Sequence, residues 1–297
     1  MKQPGDSHAQ LYWLIAAMVL FWSANYTIGK VALREFPPLL AGGLRIAMAA
    51  AFIAPAYLAQ KGPASWAKRD IPFLLFLGLI GIMMNQLFFV IGLSLTSVVH
   101  SSLIIGMTPI FVLLFAAAIK QERITPRKAS GMLIALGGIA ILNALPPETG
   151  AHGARATVAG DLFVALASIA FALYTVLGKK ISLRHSAVTV NTFGYVGGAL
   201  ALAPVILWEG RGFSFARVSL AAWSSVVYMA LFSSVISYLI YYHALGKISA
   251  SRVSAFNYLQ PVVATLLAVV ALGERVTLPV VAGGAVIFSG VYLTERG

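Results

Sequence analysis

The sequence contains no cysteine and few charged residues. The absence of cysteine excludes disulfides, thiolate metal sites and cysteine nucleophiles. Only 10% of the 297 residues are charged and 60% are hydrophobic, whereas soluble domains carry about 25% charged residues. This composition excludes a soluble globular protein and indicates a chain that lies largely within a membrane.

Acidic residues are especially scarce. The nine acids fall at the ends of the apolar runs or between them, and none lies near the middle of a run. Proton-driven export of cations normally uses a carboxylate inside the membrane, so export of polyamines or cationic drugs is disfavoured. Were the chain a transporter, a neutral or zwitterionic substrate, moved down its gradient or with weak coupling, would fit better. The acids are Asp6, Glu35, Asp70, Glu122, Glu148, Asp161, Glu209, Glu274 and Glu295.

Long hydrophobic runs account for most of the chain. A membrane-spanning helix needs roughly 17–25 predominantly apolar residues, and the sequence predicts an all-α membrane protein with ten transmembrane helices. The first run is expected to be a retained helix rather than a signal peptide, because Trp22, Asn25 and Tyr26 interrupt it and no small-residue cleavage site follows. The predicted spans are 11–32, 39–59, 71–93, 97–119, 127–145, 158–179, 188–208, 219–242, 250–271 and 277–294.

The net charge of +12 could suggest a nucleic-acid partner, but basic residues also collect in cytoplasmic loops of membrane proteins. Their distribution favours the second interpretation, with no nucleic acid and with both termini in the cytoplasm of a bacterial inner-membrane protein. Arg45 lies inside a span. The predicted external residues are Lys30, Arg34, Arg155, Arg211, Arg217 and Arg275. The predicted cytoplasmic residues are Lys2, Lys61, Lys68, Arg69, Lys120, Arg123, Arg127, Lys128, Lys179, Lys180, Arg184, Lys247, Arg252 and Arg296.

The second half of the chain repeats the first. The pattern Pro-x12-Glu-Arg-x-Thr-x5-Gly-x6-Gly begins at Pro109 and again 152 residues later at Pro261. Each half contains an odd number of spans, so the halves must enter the membrane from opposite sides. The positive charges agree with this reversal, because the first copy has Lys120, Arg127 and Lys128 where the second copy has the uncharged residues Leu272, Pro279 and Val280. We therefore expect two inverted five-helix repeats, at 1–145 and 158–297, joined by a linker at 146–157.

Several motifs together resemble a known family. They are the duplicated proline, the Glu-Arg pair after it, the two glycines in the next span, Trp22-Ser23-x-Asn25, and Arg45. With these the chain resembles the drug/metabolite transporter superfamily in its ten-helix EamA-type branch, and within that branch most resembles bacterial aromatic amino-acid exporters. The resemblance implies export of amino acids, other metabolites or drugs by alternating access, without a cofactor. The smaller multidrug exporters of the superfamily use a glutamate in the first helix, and this chain has none there.

The two repeated prolines lie near the middle of their predicted spans. Proline removes a backbone hydrogen bond and frees a carbonyl. Pro109 and Pro261 could therefore bend helices that line a substrate site, with Asn257, Tyr258 and Gln260 beside the second. Alternatively they are kinks that the membrane tolerates.

Polar-tipped rings and amides share helix faces in several spans. Trp22, Asn25 and Tyr26 lie on one face of the first span, and Asn85 and Phe89 on one face of the third. A cavity of this kind suits a substrate with an apolar body and a polar head. Packing or interface anchoring is the alternative, which we prefer for Tyr241 and Tyr242. Tyr174 and Tyr238 complete the predicted lining.

Several basic residues lie inside the membrane or near its surface. Arg45 could bind a substrate carboxylate, or bond helix carbonyls and hold the halves in register. Lys30 and Lys179 lie at span ends and are expected to extend to the surface. His100 and His243 could couple protons, although an interior histidine is more often simply hydrogen-bonded.

The remaining motifs are expected to be structural. Glu122-Arg123 and Glu274-Arg275 lie in loops, where helix capping or gate-closing ion pairs are favoured over substrate contact. The glycine pairs Gly131/Gly138 and Gly283/Gly290 are seven residues apart and allow close helix contact. We assign the fifth and tenth spans to scaffold or to dimer packing, which leaves a homodimer open.

The sequence as a whole favours a transporter of a hydrophobic or aromatic amino acid. A polytopic membrane enzyme would need acids or histidines clustered at a membrane surface, and no such cluster is visible. A proton-coupled multidrug exporter is weakened by the lack of a membrane-embedded carboxylate. The expected partners are therefore the lipid bilayer and a small-molecule substrate.

Overall fold

The computed structural model describes residues 8–60, 68–96, 98–142, 157–272 and 278–297, and within these ranges it is helical without a β-strand. Six helical stretches are long and apolar enough to cross a membrane: Ala9–Ala32, Pro38–Leu58, Ile71–Leu95, Val158–Ser182, Ala187–Gly210 and Leu220–Lys247. The chain is thus a multi-pass membrane protein. The predicted linker, apart from Thr157, and the Glu274-Arg275 pair lie outside the described residues.

The helices follow the predicted runs closely. They are α1 (His8–Ala32), α2 (Pro38–Leu58), α3 (Ile71–Gly78), α4 (Asn85–Leu95), α5 (Val98–Ile105), α6 (Thr108–Ala118), α7 (Pro126–Leu142), α8 (Val158–Ser182), α9 (Ala187–Gly210), α10 (Leu220–Tyr228), α11 (Ser237–Lys247), α12 (Ala250–Ala255), α13 (Leu259–Leu272) and α14 (Leu278–Glu295).

Two predicted spans are broken just before their repeated proline. Residues 106–107 separate α5 from α6, and a short 3₁₀ segment, Phe256–Tyr258, separates α12 from α13. Pro109 and Pro261 therefore lie in the first turn of a new helix, where the missing N–H is not needed. The expectation that they bend a continuous helix is corrected: they begin helices.

Two other spans each contain a π-helical segment. Leu79–Met84 links α3 to α4, and Met229–Ile236 links α10 to α11, at matching places in the two halves. Ser234 in the second segment and Ser237 directly after it donate from their hydroxyls to carbonyl oxygens five residues earlier, at 2.8 and 2.7 Å. Segments of this type are frequent at functional sites.

The packing joins helices of the first half to helices of the second. The pairs α2–α9 and α7–α14 each bring together helices at matching positions in the two halves. The pair α6–α12 is matched by α5–α13, and α4–α8 is matched by α1–α11. The core between these pairs is therefore an interface between the halves.

Glycines bring α7 and α14 into backbone contact. A methyl group on Gly290 would lie 2.5 Å from both the Gly131 carbonyl oxygen and the Ala135 nitrogen, and one on Gly138 would lie 2.7 Å from the Ile287 nitrogen. Of the two uses expected for the glycine faces, scaffold or dimer packing, the structure shows contact within one chain.

Candidate substrate cavity

A cavity of about 70 Å³ lies between the halves, near the middle of the helices that line it. Pockets for drug-sized ligands are usually about 300–1,000 Å³, so this cavity holds a small molecule or must widen to bind a larger one. The lining combines rings, amides and a single guanidinium. It consists of Trp22, Asn25, Tyr26, Arg45, Asn85, Gln86, Phe89, Ile105, Thr108, Phe171, Tyr238, Asn257 and Gln260.

Irregular helix segments place several of these side chains. Ile105 and Thr108 flank the break between α5 and α6, and Asn257 lies in the 3₁₀ segment before α13. Asn85 directly follows the first π segment, and Tyr238 lies two residues after the second. Because the helices are interrupted at these points, polar groups of four spans meet in an otherwise apolar bundle.

Arg45 brings a buried positive charge to the cavity. Its residue is 3% exposed, and its Nε donates to Ser234 Oγ at 2.8 Å. Gln86 supports this contact, since its Oε1 lies 3.3 Å from the same hydroxyl and its Nε2 donates to the Tyr195 hydroxyl at 3.1 Å. No carboxylate of the described residues forms an ion pair with Arg45.

Asn85 and Tyr238 form a second buried polar group. The Asn85 amide donates to the Ala167 carbonyl at 2.8 Å, and its Oδ1 accepts from the Tyr238 hydroxyl at 2.8 Å. The Tyr238 oxygen is also 3.2 Å from the Gly81 carbonyl in the first π segment. These bonds connect the two halves across the cavity wall, because α4 belongs to the first half and α8 and α11 to the second.

A third polar group lies beside the break before α13. The Tyr26 hydroxyl donates to Gln260 Oε1 at 3.1 Å, and Gln260 Nε2 donates to Asn257 Oδ1 at the same distance. The Tyr26 ring also meets the Phe89 ring at a centroid distance of 5.6 Å. Asn25 differs from these neighbours, because its Oδ1 is buried and has no hydrogen-bond partner among the described residues.

An aromatic cluster lies beside the cavity, towards the C-terminal ends of α8 and α11. Trp22 donates from Nε1 to the Ser233 carbonyl at 2.9 Å, and its ring lies 5.6 Å from both Phe171 and Tyr241. Further along, the rings of Tyr174 and Tyr242 are 5.1 Å apart. Both tyrosines, and Tyr241 as well, are fully buried. Tyr241 and Tyr242 therefore pack in the core, and the alternative that they anchor at the membrane interface is wrong.

The structure brings nine of the fourteen predicted binding residues to one cavity. Tyr174, Tyr258, Pro109 and Pro261 are not in its lining, and the side chain of His100 lies outside what the structure describes. Tyr174 and Tyr258 are buried in neighbouring packing clusters instead. The residues in the lining are Trp22, Asn25, Tyr26, Arg45, Asn85, Phe89, Tyr238, Asn257 and Gln260.

Four lining residues were missed by sequence reasoning: Gln86, Ile105, Thr108 and Phe171. Phe171 carried a usable signal, since it occupies the position of Trp22 in the second half. Thr108 precedes the repeated proline, and its hydroxyl lies 2.6 Å from the Ser168 hydroxyl. No sequence signal pointed to Gln86, because it neighbours Asn85 in sequence and an α-helix would place the two side chains about 100° apart.

Lys30 and Lys179, expected to extend to the surface, are half-buried and bond the ends of neighbouring helices. Lys30 Nζ donates to the Thr96 carbonyl at 2.7 Å, at the end of α4. Lys179 Nζ donates to the Ile248 carbonyl at 2.8 Å and to that of Leu245, at the end of α11. Each lysine thus satisfies carbonyls at the C-terminus of a helix that continues from a π segment, where a cation is favoured by the helix dipole.

Replacing Lys179 by methionine is expected to lower stability by up to about 2 kcal/mol, because a partly buried cation at a helix C-terminus contributes that much. Thermal unfolding in detergent would measure the loss. Lys180→Met is the matched control, since this neighbouring lysine on α8 is exposed. Equal unfolding temperatures for the two variants would contradict this role.

Glu122 connects the loop before α7 to the start of α12. Its carboxylate accepts from Lys128 Nζ at 2.7 Å, from the Ser251 amide at 3.1 Å and from the Ser251 hydroxyl. Burial acts to raise the pKa of Glu122, but the bonds from Lys128 and Ser251 outweigh it and hold the pKa below its ordinary value. Glu122 thus forms an ion pair with Lys128 within the first half, and its hydrogen bonds to Ser251 join the two halves.

Because folding lowers the pKa of Glu122, its contribution to stability is present at neutral pH and is lost as pH falls through that lowered value. Glu122→Gln is expected to lower the unfolding temperature at pH 7 and to flatten its decline below about pH 4, the ordinary pKa of a glutamate. Glu209→Gln, at the end of α9, serves as the control. An unchanged pH profile in Glu122→Gln would show that this contact contributes nothing.

Known proteins share both the sequence pattern and the fold. The model of the EamA-like transporter family matches residues 10–144 and again residues 158–296. An "uncharacterized transporter" of Archaeoglobus fulgidus is 30% identical over 285 residues, covering 96% of this chain and 98% of the relative. A "probable terminal-alkyne amino-acid exporter" of Streptantibioticus cattleyicolor is 28% identical, with 96% and 93% covered. A solved structure of 20% identity covers 98% of both chains with a TM-score of 0.77, which shows the fold alone.

Proposed function

The chain belongs to the EamA-like transporter family, and we propose that it exports a small zwitterionic or neutral metabolite, above all a hydrophobic or aromatic amino acid. The observation that carries this proposal is the cavity between the halves, which combines a guanidinium, amides and aromatic rings inside an apolar bundle. The amino-acid exporter named among the relatives supports the same substrate class. We propose no enzymatic activity for this chain.

We further propose ten spans in two inverted repeats, in a bacterial inner membrane with both termini in the cytoplasm. The pairing of matching helices across the halves supports the repeat. Contacts between loops support the assignment of loops to common sides, since each contact joins segments assigned to the same side. Glu35 accepts from the Ser219 amide and hydroxyl at 2.7 and 2.5 Å, between two segments that we assign to the external side, and these bonds lower the pKa of Glu35. Asp70 lies 3.1 Å from His185 Nε2, between two segments that we assign to the cytoplasmic side.

Alternating access would then follow from movement between the halves. The aromatic cluster and the Glu122 contact both lie towards the side that we assign to the cytoplasm, and we propose that they close the cavity there. We propose that they separate when the cavity opens inward, while the π segments absorb the change in helix direction. Their matching positions in the two halves support this role.

The distribution of charge argues against cation export. The described acids, Glu35, Asp70, Glu122, Asp161, Glu209 and Glu295, lie at helix ends or in loops, and none of them lines the cavity. A cationic drug would instead meet the Arg45 guanidinium without a compensating carboxylate. The proton-coupled multidrug exporter therefore remains the weaker candidate.

The test is transport by purified protein in liposomes, with labelled phenylalanine, labelled threonine and a lipophilic cation, each with and without a pH gradient. We expect phenylalanine flux that does not need the gradient and is competed by other aromatic amino acids. Cation flux that occurs only with a pH gradient would overturn the proposal and direct attention to His243.

A further inference from the structure

We infer that Arg45 and Asn25 form a two-point site for the α-carboxylate and α-ammonium groups of the substrate. The inference rests on the proposed function and goes beyond it by assigning each charged group of the substrate to a residue. Both residues line the same cavity, and both lie in the first half of the chain, on α2 and α1.

Arg45 offers hydrogen-bond donors that match a carboxylate. A guanidinium has five N–H donors, and the hydrogen bond it forms within the described residues uses Nε, on Ser234. The Nη donors are thereby left for a ligand, and a planar carboxylate is the group that matches them in pairs. Since Ser234 and Gln86 hold the guanidinium in place, they act as positioning residues.

Asn25 offers an unpaired acceptor that matches an ammonium group. The residue is 5% exposed, and its Oδ1 lacks a partner among the described residues. A buried acceptor without a donor is destabilising, so a ligand that donates an N–H there recovers stability. An ammonium group is such a donor, and the amide oxygen accepts it without a second buried charge.

The remaining lining accounts for the rest of the substrate. Trp22, Phe89 and Phe171 offer ring surfaces, which suit an apolar side chain. With one fixed positive charge, an unpaired acceptor and no described carboxylate, the cavity favours a compound that carries both an anion and an N–H donor. Amines that lack the carboxylate, and acids that lack the ammonium, should each lose one of the two contacts.

The experiment compares ligands that differ by one group. The four compounds are phenylalanine, phenethylamine, 3-phenylpropionate and phenylalanine methyl ester. Each is tested for thermal stabilisation of the purified protein and for competition with the uptake of labelled phenylalanine into liposomes. Leucine and isoamylamine form a second pair, so the site is tested even if phenylalanine is not carried. We expect each free amino acid to exceed its single-group analogues at least tenfold.

Variants identify the residue responsible for each group. Arg45→Gln should abolish the advantage of phenylalanine over phenethylamine, and Arg45→Lys should restore part of it. Asn25→Leu should abolish the advantage over 3-phenylpropionate. Arg34→Gln, on the exposed external loop, is the control for loss of a positive charge.

The outcomes separate the inference from the proposed function. Wild-type protein that carries phenylalanine but binds phenethylamine equally well would overturn the two-point site and leave the transporter proposal intact. An Arg45→Gln variant that weakens phenylalanine and phenethylamine to the same extent would also overturn it. Absence of flux together with selective stabilisation by free amino acids would instead contradict export and support the site.

Discussion

Replacing Gly290 by valine is expected to disrupt assembly of the bundle. The side chain would meet the Gly131 carbonyl oxygen and the Ala135 nitrogen, and neither backbone atom can move without separating α7 from α14. Overpacking of this kind costs about 1–3 kcal/mol and occasionally more. The expected result is a sharp fall in the yield of monodisperse protein and in its unfolding temperature.

The control for this substitution lies on the same helix pair. Gly137 belongs to α7, and a methyl group added to it would have no atom of the described residues within 4 Å. Gly137→Val therefore adds the same volume without a clash, and we expect it to behave like the wild type. If Gly290→Val were equally well tolerated, the close contact between α7 and α14 would not exist in the membrane.

Replacing Asn85 by alanine is expected to reduce transport at least tenfold, equivalent to about 1.4 kcal/mol. The Asn85 amide connects the Ala167 carbonyl to the Tyr238 hydroxyl, and its removal takes a partner from both groups beside the cavity. Initial rates of phenylalanine flux at matched protein insertion would measure the effect.

Tyr238→Phe tests the other partner of the Asn85–Tyr238 hydrogen bond, because it removes the hydroxyl and keeps the ring. If Asn85 acts through Tyr238, the double variant should be no worse than the more damaging single variant, since effects within one hydrogen-bond network are not additive. Full transport by Asn85→Ala, in protein that inserts normally, would show that the cavity is not the transport site.

Much of the candidate site could be read from helical periodicity. Trp22, Asn25 and Tyr26 were predicted to share one face of α1, and all three line the cavity. The prediction succeeded because an amide or a ring with a polar tip is costly in lipid and must turn inwards. The repeat matches Phe171 to Trp22 and could have placed it in the cavity lining. It was not predicted there, since an apolar ring alone gives no reason to face a cavity.

Other features depended on which helices meet. Gln86 lines the cavity and bonds Tyr195 and Ser234, which both come from the other half of the chain. Lys30 and Lys179 bond the ends of neighbouring helices, which no local pattern reveals. The repeated prolines begin helices after a break whose position is set by packing.

The sequence by itself determined that this chain is a helical membrane protein, and its hydropathy, charges and repeat predict where the helices lie and how they are oriented. These properties depend on each segment's own affinity for lipid or water. The tertiary structure alone decided that the glycine faces of α7 and α14 meet each other, that Arg45 is held by Ser234, and that Asn25 keeps an unpaired acceptor in the same cavity. Such facts depend on contacts between residues far apart in the chain, and periodicity shows only which face of a helix is buried, not what it is buried against.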